Sequence, residues 1–265
     1  MAVSPLSRAR EPVVEVSHLS TRFGDTVVHK DVSLTVYRGE LFGVIGGSGS
    51  GKTTLLREII LLQRPDAGSI RLFGQETAAM SAADLLRLRR RCGVLFQEGA
   101  LFSALTVMEN AAVPLKEHTA LSRRLIEELA LIKIALTGLP SESAIKYPSE
   151  LSSGMRRRAA LARAIALDPE LLFLDEPTAG LDPISAGGLD ELIQRLKGWL
   201  GLTIVMVTHD LDTLWRVADR VAMLGEGRIV GIGTMTELAR SKEPLIRAFF
   251  QGRRGPVKER RWKQK

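Results

Sequence analysis

The run Gly46-Gly47-Ser48-Gly49-Ser50-Gly51-Lys52-Thr53 constrains this chain more than any other stretch in it. It satisfies the spacing G-x-x-x-x-G-K-[ST], follows the short apolar run Leu41 to Ile45, and opens a helix-forming stretch, Lys52 to Leu62. A strand that passes through a glycine turn into a helix aims backbone N–H groups and the positive end of the helix at one point. The loop is therefore expected to hold the phosphates of a nucleotide. Glycines let the backbone wrap closely, Lys52 reaches the β- and γ-phosphates, and Thr53 supplies a hydroxyl to magnesium. The expected binding set runs from Gly46 to Thr54.

Two further apolar runs, Leu171 to Leu174 and Thr203 to Val207, read as buried strands with helical segments around them, which predicts an α/β core with a parallel sheet. Val13 to Val16 and Val27 to Val36 also read as strands, set off by Gly24-Asp25 and Arg38-Gly39. Between Gly93–Phe96 and Leu171 the pattern changes. Val107 to Leu167 has helical periodicity with Pro114, Gly138-Leu139-Pro140 and Pro148 as breaks, and reads as a helical lobe inserted in the core. The first late strand ends in Asp175-Glu176, at the carboxyl end where open α/β sheets bind ligands. Asp175 is expected to hold magnesium through water and Glu176 to orient, or take a proton from, the water attacking the γ-phosphate. Strand alternation should point them to opposite sides. Without the phosphate loop, the same pair would read as a solvated strand end.

Leu151-Ser152-Ser153-Gly154-Met155 resembles the signature sequence of ABC ATPases, usually L-S-G-G-Q. The resemblance spreads over nearly the whole chain. Phe23 looks like the aromatic that stacks on adenine, Gln97 like the loop glutamine that contacts magnesium, Ala179-Gly180-Leu181-Asp182 like the dimer-contacting loop, and His209 like the switch histidine at the γ-phosphate. The resemblance implies a RecA-like P-loop NTPase core over 1–97 and 167–240, a helical signature subdomain over 98–166 and a C-terminal extension over 241–265. It also implies ATP and Mg2+ as ligands, and a homodimer in which Ser152 and Gly154 of one copy meet the phosphate loop of the other. Ser152 and Gly154 precede a helix expected over Met155 to Ala166, whose N–H groups suit an anion; a plain helix cap is the alternative. Taken singly, Phe23 could be a core or surface aromatic, Gln97 a polar strand end, His209 a cap and Asp182 the start of a turn. Ser153 and Met155 depart from the family's glycine and glutamine.

The run from Gln97 to Asn110, the signature methionine and the ending Phe249-Phe250-Gln251-Gly252 with Gly255-Pro256 resemble one branch of that family. It serves lipid-handling importers of the Gram-negative envelope, the Mla-type phospholipid systems and their toluene-tolerance relatives. Multi-spanning permease subunits, lipid-binding accessory proteins and a peripheral place on the cytoplasmic face of the inner membrane follow from the resemblance. Leu101, Phe102 and Leu105 are expected to form an apolar surface gripping a short helix of the membrane subunit, or else to be core.

Charge decides against nucleic acid as the partner. Of the formal net charge of +7, the run 253–265 carries seven basic residues against Glu259 alone, so the remainder is nearly neutral. Such a run is ordinarily a solvated end; anionic lipid, a partner chain and nucleic acid are its functional alternatives, in that order. No apolar run approaches the roughly 18 residues a spanning helix needs, and Met1 to Pro12 has no secretory pattern, which predicts a cytoplasmic protein. The single Cys92 fits a reducing compartment. The rival readings are the ATPase of another small-molecule transporter, a soluble ABC ATPase acting on nucleic acid or ribosomes, and a non-catalytic nucleotide-binding scaffold.

Overall fold

Leu41, Phe42, Val44 and Ile45 are all buried, because helices cover one face of their strand and a second sheet covers the other. In the computed structural model, residues 10–97 and 99–252 are described. The first nine residues, Glu98 and the basic run 253–265 with Gly255-Pro256 lie outside the described residues.

The strands are β1 (Pro12–Phe23), β2 (Thr26–Tyr37), β3 (Leu41–Gly46), β4 (Ala67–Leu72), β5 (Gln75–Glu76), β6 (Cys92–Leu95), β7 (Leu171–Asp175), β8 (Thr203–Val207), β9 (Arg220–Gly225) and β10 (Arg228–Gly233). The helices are α1 (Lys52–Ile59), α2 (Ala82–Arg90), α3 (Val107–His118), α4 (Arg123–Leu136), α5 (Ser153–Ala164), α6 (Pro183–Leu200), α7 (Leu211–Val217), α8 (Met235–Ala239) and α9 (Pro244–Gly252). The larger sheet has the order β10-β9-β3-β8-β7-β6 and is parallel except for β10. The smaller, β2-β1-β4-β5, is antiparallel.

Alternate side chains of the parallel strands feed two cores. Phe42, Val44, Leu171, Phe173, Val205 and Val207 pack toward α1 and the antiparallel sheet. Leu41, Ile45, Leu172, Leu174, Ile204 and Met206 pack toward α5, α6 and α7. Burial on both faces explains why these strands read as unbroken apolar runs. A third core joins α3, α4 and α5 through Val107, Ala111, Leu115, Ile126, Ile134 and Ala159.

Several local expectations change. β1 extends to Phe23 because its pairing with β2 continues through several register shifts, one of them between Val16 and Leu19, where His18 adopts φ 51°. α1 stops at Ile59, and Leu61 beyond it has φ 63°. Pro114 does not break the lobe; α3 runs through it. Its start is fixed by a capping box between Thr106 and Glu109, and burial of Val107, Ala111, Ala112 and Leu115 offsets the roughly 3 kcal/mol that an interior proline costs. The antiparallel sheet's β4 and β5, and the late pair β9 and β10, were not expected from the sequence.

Candidate nucleotide site

Four parallel strands end side by side. From β6 through β7 and β8 to β3, their carboxyl ends deliver Gln97, Asp175 with Glu176, His209, and the loop from Gly46. The loop's shape depends on two glycines. At Gly46, φ is 159° and a Cβ would lie 2.3 Å from the Leu224 carbonyl oxygen; at Gly51, the N-cap of α1 with φ 96°, it would lie 2.7 Å from His29 Nε2. Gly47 and Gly49 have open space in that direction. Lys52 Nζ donates to the carbonyl oxygens of Gly46 at 3.1 Å and Gly47 at 2.8 Å, with Ser50 Oγ at 3.4 Å. The ammonium thus sits over the loop. Ser48 and Thr53 are exposed, and Thr54 is half-buried in the first turn of α1.

A cleft of about 640 Å³ runs from Gly47–Ser50 past Thr26–Val28 and Gly225–Gly227 to Leu245 and Phe249 of α9. Phe23, half-exposed, closes the β1–β2 turn opposite Thr26, a residue of the cleft wall. Leu245 and Phe249, in the C-terminal extension, border the phosphate loop of their own chain.

Asp175 is buried, and its Oδ1 has no hydrogen-bond partner. Desolvation, helped by the Glu176 carboxylate, pushes its pKa up, against the pull of Arg57, Lys52 and Arg157. An orphaned, ionisable carboxylate oxygen beside a phosphate loop is a fitting place for a hydrated divalent cation. Among the described residues no group of three or more His, Cys, Asp or Glu could hold a metal alone. Thr53, Gln97 and Asp175 match magnesium's habit of leaning on few protein ligands plus phosphates and water.

The strand ends at Asp175, and Glu176 takes a left-handed backbone with φ 48°, its N–H donating to the Val207 carbonyl at 2.8 Å. The two carboxylates are therefore parted by a turn, not by strand alternation. Glu176 Oε1 meets His209 Nδ1 at 2.7 Å, and its Oε2 accepts from the Thr208 hydroxyl at 3.2 Å.

Ser152 and Gly154 do not join this cluster of strand ends. Ser152 is the N-cap of α5, accepting from Met155 N–H at 3.3 Å, and Gly154 lies within the first turn, not ahead of the helix. The nearest atoms to a Cβ at Gly154 would be those of Ser185, 3.8 Å away in α6. Asp182 caps α6, accepting from the N–H groups of Ile184 and Ser185 at 3.0 Å; hydrogen bonds from Ser185 hold its carboxyl below the usual range. Buried Arg157 on α5 donates to the Ala179 carbonyl at 3.2 Å, so the signature helix and the loop before Asp182 are tied.

Two residues carry structure that the sequence reading left without a role. Asn110, fully buried, accepts from Phe102 N–H at 2.8 Å and shares its amide among the carbonyls of Phe102, Leu105 and Thr106. Arg163 of α5 donates to the carbonyls of Ala100 at 2.8 Å and Gly99 at 2.9 Å, with its guanidinium 5.7 Å from the Phe102 ring. The segment after Gln97 is thus pinned from both sides. Phe102 is exposed, whereas Leu101 packs against two cores and Leu105 is half-buried, so the expected three-residue apolar surface reduces to Phe102.

The profile of the ABC transporter family matches residues 29–179. The chain is 41% identical over 247 residues to the intermembrane phospholipid transport system ATP-binding protein MlaF of Haemophilus influenzae, covering 93% of each chain. It is 40% identical over 245 residues to the probable ribonucleotide transport ATP-binding protein mkl of Mycobacterium bovis, covering 92% of this chain and 68% of that one. Among solved structures, the dimeric post-hydrolysis ATP-binding cassette MJ0796 bound to ADP and Pi superposes with a TM-score of 0.77 at 29% identity, covering 84% of this chain and 98% of that one.

Proposed function

The chain belongs to the ABC transporter family, and from that premise we propose that it is the ATP-hydrolysing subunit of a system that moves phospholipid between the membranes of a Gram-negative envelope. The ATPase activity rests on the family. The phospholipid reading is carried by one observation: near end-to-end likeness to a phospholipid transport ATP-binding protein, 93% of both chains, against 68% of the length of the relative named for ribonucleotide transport.

In this reading Lys52 and the loop N–H groups hold the phosphates, and Phe23 provides a stacking face for the base. Glu176, oriented by His209 and Thr208, accepts a proton from the attacking water. Thr53, Gln97 and Asp175 would hold magnesium, which when bound neutralises charge on the phosphate oxygens. Ser152, Gly154 and Asp182 face a second copy, in keeping with the dimeric form of MJ0796. The core over 1–97 and 167–240 and the helical unit over 98–166 then move as two bodies, with Phe102 at the contact to a membrane subunit. Among the described residues no helix is long and apolar enough to cross a membrane. The proposal accordingly assigns the crossing to a separate permease, with this chain on the cytoplasmic face of the inner membrane and lipid-binding proteins as further partners.

The test is a pull-down of tagged protein from native membranes, with co-purified chains and lipids identified by mass spectrometry. A multi-spanning permease with a lipid-binding partner supports the reading; ribosomes, DNA or no membrane chain overturns it.

A further inference from the structure

A buried polar trio stands behind the phosphate loop, and the assignment above leaves it unused. Thr21 and His29 are cross-strand partners in the β1–β2 hairpin, and Glu58 reaches them from α1. The side chains of His29 and Glu58 have no exposure, and Thr21 is 1% exposed. Polar groups in a dry core are costly unless matched. Here the Thr21 hydroxyl donates to Glu58 Oε1 at 2.6 Å. His29 Nδ1 stands 3.2 Å from Glu58 Oε2 and 3.3 Å from Thr21 Oγ1, and His29 Nε2 lies 3.2 Å from the Gly51 carbonyl oxygen.

The partners assign the protons. A carbonyl only accepts, so Nε2 carries hydrogen. Thr21 has given its single proton to Glu58, which leaves Glu58 Oε2 facing Nδ1 at ion-pair distance, though without hydrogen-bond alignment. Nδ1 thus faces two oxygens, Thr21 Oγ1 at hydrogen-bond geometry and Glu58 Oε2 at ion-pair distance. His29 is held at one end to the phosphate loop, and at the other lies against Thr21 of the hairpin and Glu58 of the helix that the loop opens.

Thr21 sits two residues before Phe23 on the same strand, while Gly51 closes the loop and caps α1. The trio thus joins the hairpin that carries Phe23 to the loop that carries the phosphates. We propose that His29, with Glu58 and Thr21, is a positioning residue that fixes the spacing between the base-stacking face and the phosphate loop, so that base and triphosphate are recognised as one ligand. This rests on the reading of Phe23 as the base contact. The trio touches no ligand atom; it acts by holding two half-sites in register, which lowers the ordering cost of binding both at once.

The experiment titrates the full-length chain, with magnesium chelated, against ATP and against inorganic triphosphate. The proteins are wild type, a His29→Leu/Glu58→Leu double variant, Thr21→Val, His29→Gln and Phe23→Ala, each checked by its thermal midpoint. Replacing both polar partners together by apolar groups leaves neither of them buried alone, and Thr21→Val is the milder change should the double variant melt. The double variant is expected to bind ATP about tenfold more weakly and triphosphate less than about twofold more weakly, Thr21→Val to shift the same ratio less, and His29→Gln, which keeps a donor for Gly51, to restore most of it. Equal losses for both ligands reduce the trio to a prop for the loop and overturn the proposal. So does unchanged ATP affinity in folded variants while Phe23→Ala weakens ATP alone; there the base reading stands and the link fails. If Phe23→Ala leaves ATP affinity untouched, the base reading fails and takes the proposal with it.

Discussion

His209 Nδ1 lies 2.7 Å from Glu176 Oε1, while the hydroxyl of the neighbouring Thr208 donates to Glu176 Oε2. One loop, following β8, therefore orients both oxygens of a carboxylate that follows β7. Glu176→Gln keeps the size and loses the basicity. ATP hydrolysis is expected to fall by about 10² to 10⁴, with equilibrium ATP binding intact. Steady-state turnover beside a binding titration checks this, and an undiminished rate would refute the assignment.

Asp175 bears on stability with the opposite sign to most carboxylates. Its pKa is raised in the folded chain, chiefly by burial. A carboxyl that binds its proton more tightly folded than unfolded adds stability below its ordinary range and withdraws it as pH rises through the folded value. At neutral pH the ionised group is thus a net penalty. Asp175→Asn is expected to raise the thermal midpoint of the nucleotide-free protein by about 2–4 °C at pH 7, to give a smaller rise at pH 4, and to abolish hydrolysis. A midpoint that falls at pH 7 would contradict this account.

Asn110→Ala strips the 102–106 segment of its buried anchor and leaves backbone groups without partners. The expected loss is about 2–3 kcal/mol of unfolding free energy in urea titration. Asn110→Asp should be no better, because a carboxylate cannot donate to three carbonyls. A loss under about 0.5 kcal/mol would mean that the segment holds its shape by packing alone.

Arg163 grips two successive carbonyls with one planar guanidinium, which a lysine cannot do. Arg163→Lys is expected to leave the basal ATPase of the isolated chain within about twofold while lowering the stimulation given by the membrane partner in reconstituted vesicles. Equal loss in both assays would place the defect at the nucleotide, not at the coupling segment.

The phosphate loop and the strands around it were legible because each depends on a local run: Leu41–Ile45 before the glycines, Leu171–Leu174 before the acidic pair, Thr203–Val207 before His209. These strands are buried on both faces, so nearly every residue announces it. β4 offered no such signal, since Ala67-Gly68-Ser69 is small and polar and only Ile70 and Leu72 are buried. β9 did offer one, Val221 to Leu224 ahead of a glycine turn, and could have been read. The Thr21–His29–Glu58 trio was invisible because its members come from two strands and a helix; each alone is an ordinary polar residue. Asn110 and Arg163 were hidden for a related reason, as their partners are backbone carbonyls that no side-chain pattern encodes.

The left-handed backbone at Glu176 sets what a selection experiment would return. A side chain with φ 48° sits about 1–2 kcal/mol above where glycine would. Libraries sorted only for heat survival should therefore enrich Glu176→Gly, a sturdier chain that turns nothing over. Libraries sorted for turnover should exclude that substitution at any temperature. The torsion at this one position makes the two screens disagree, and their disagreement would mark the residue without any knowledge of the ligand.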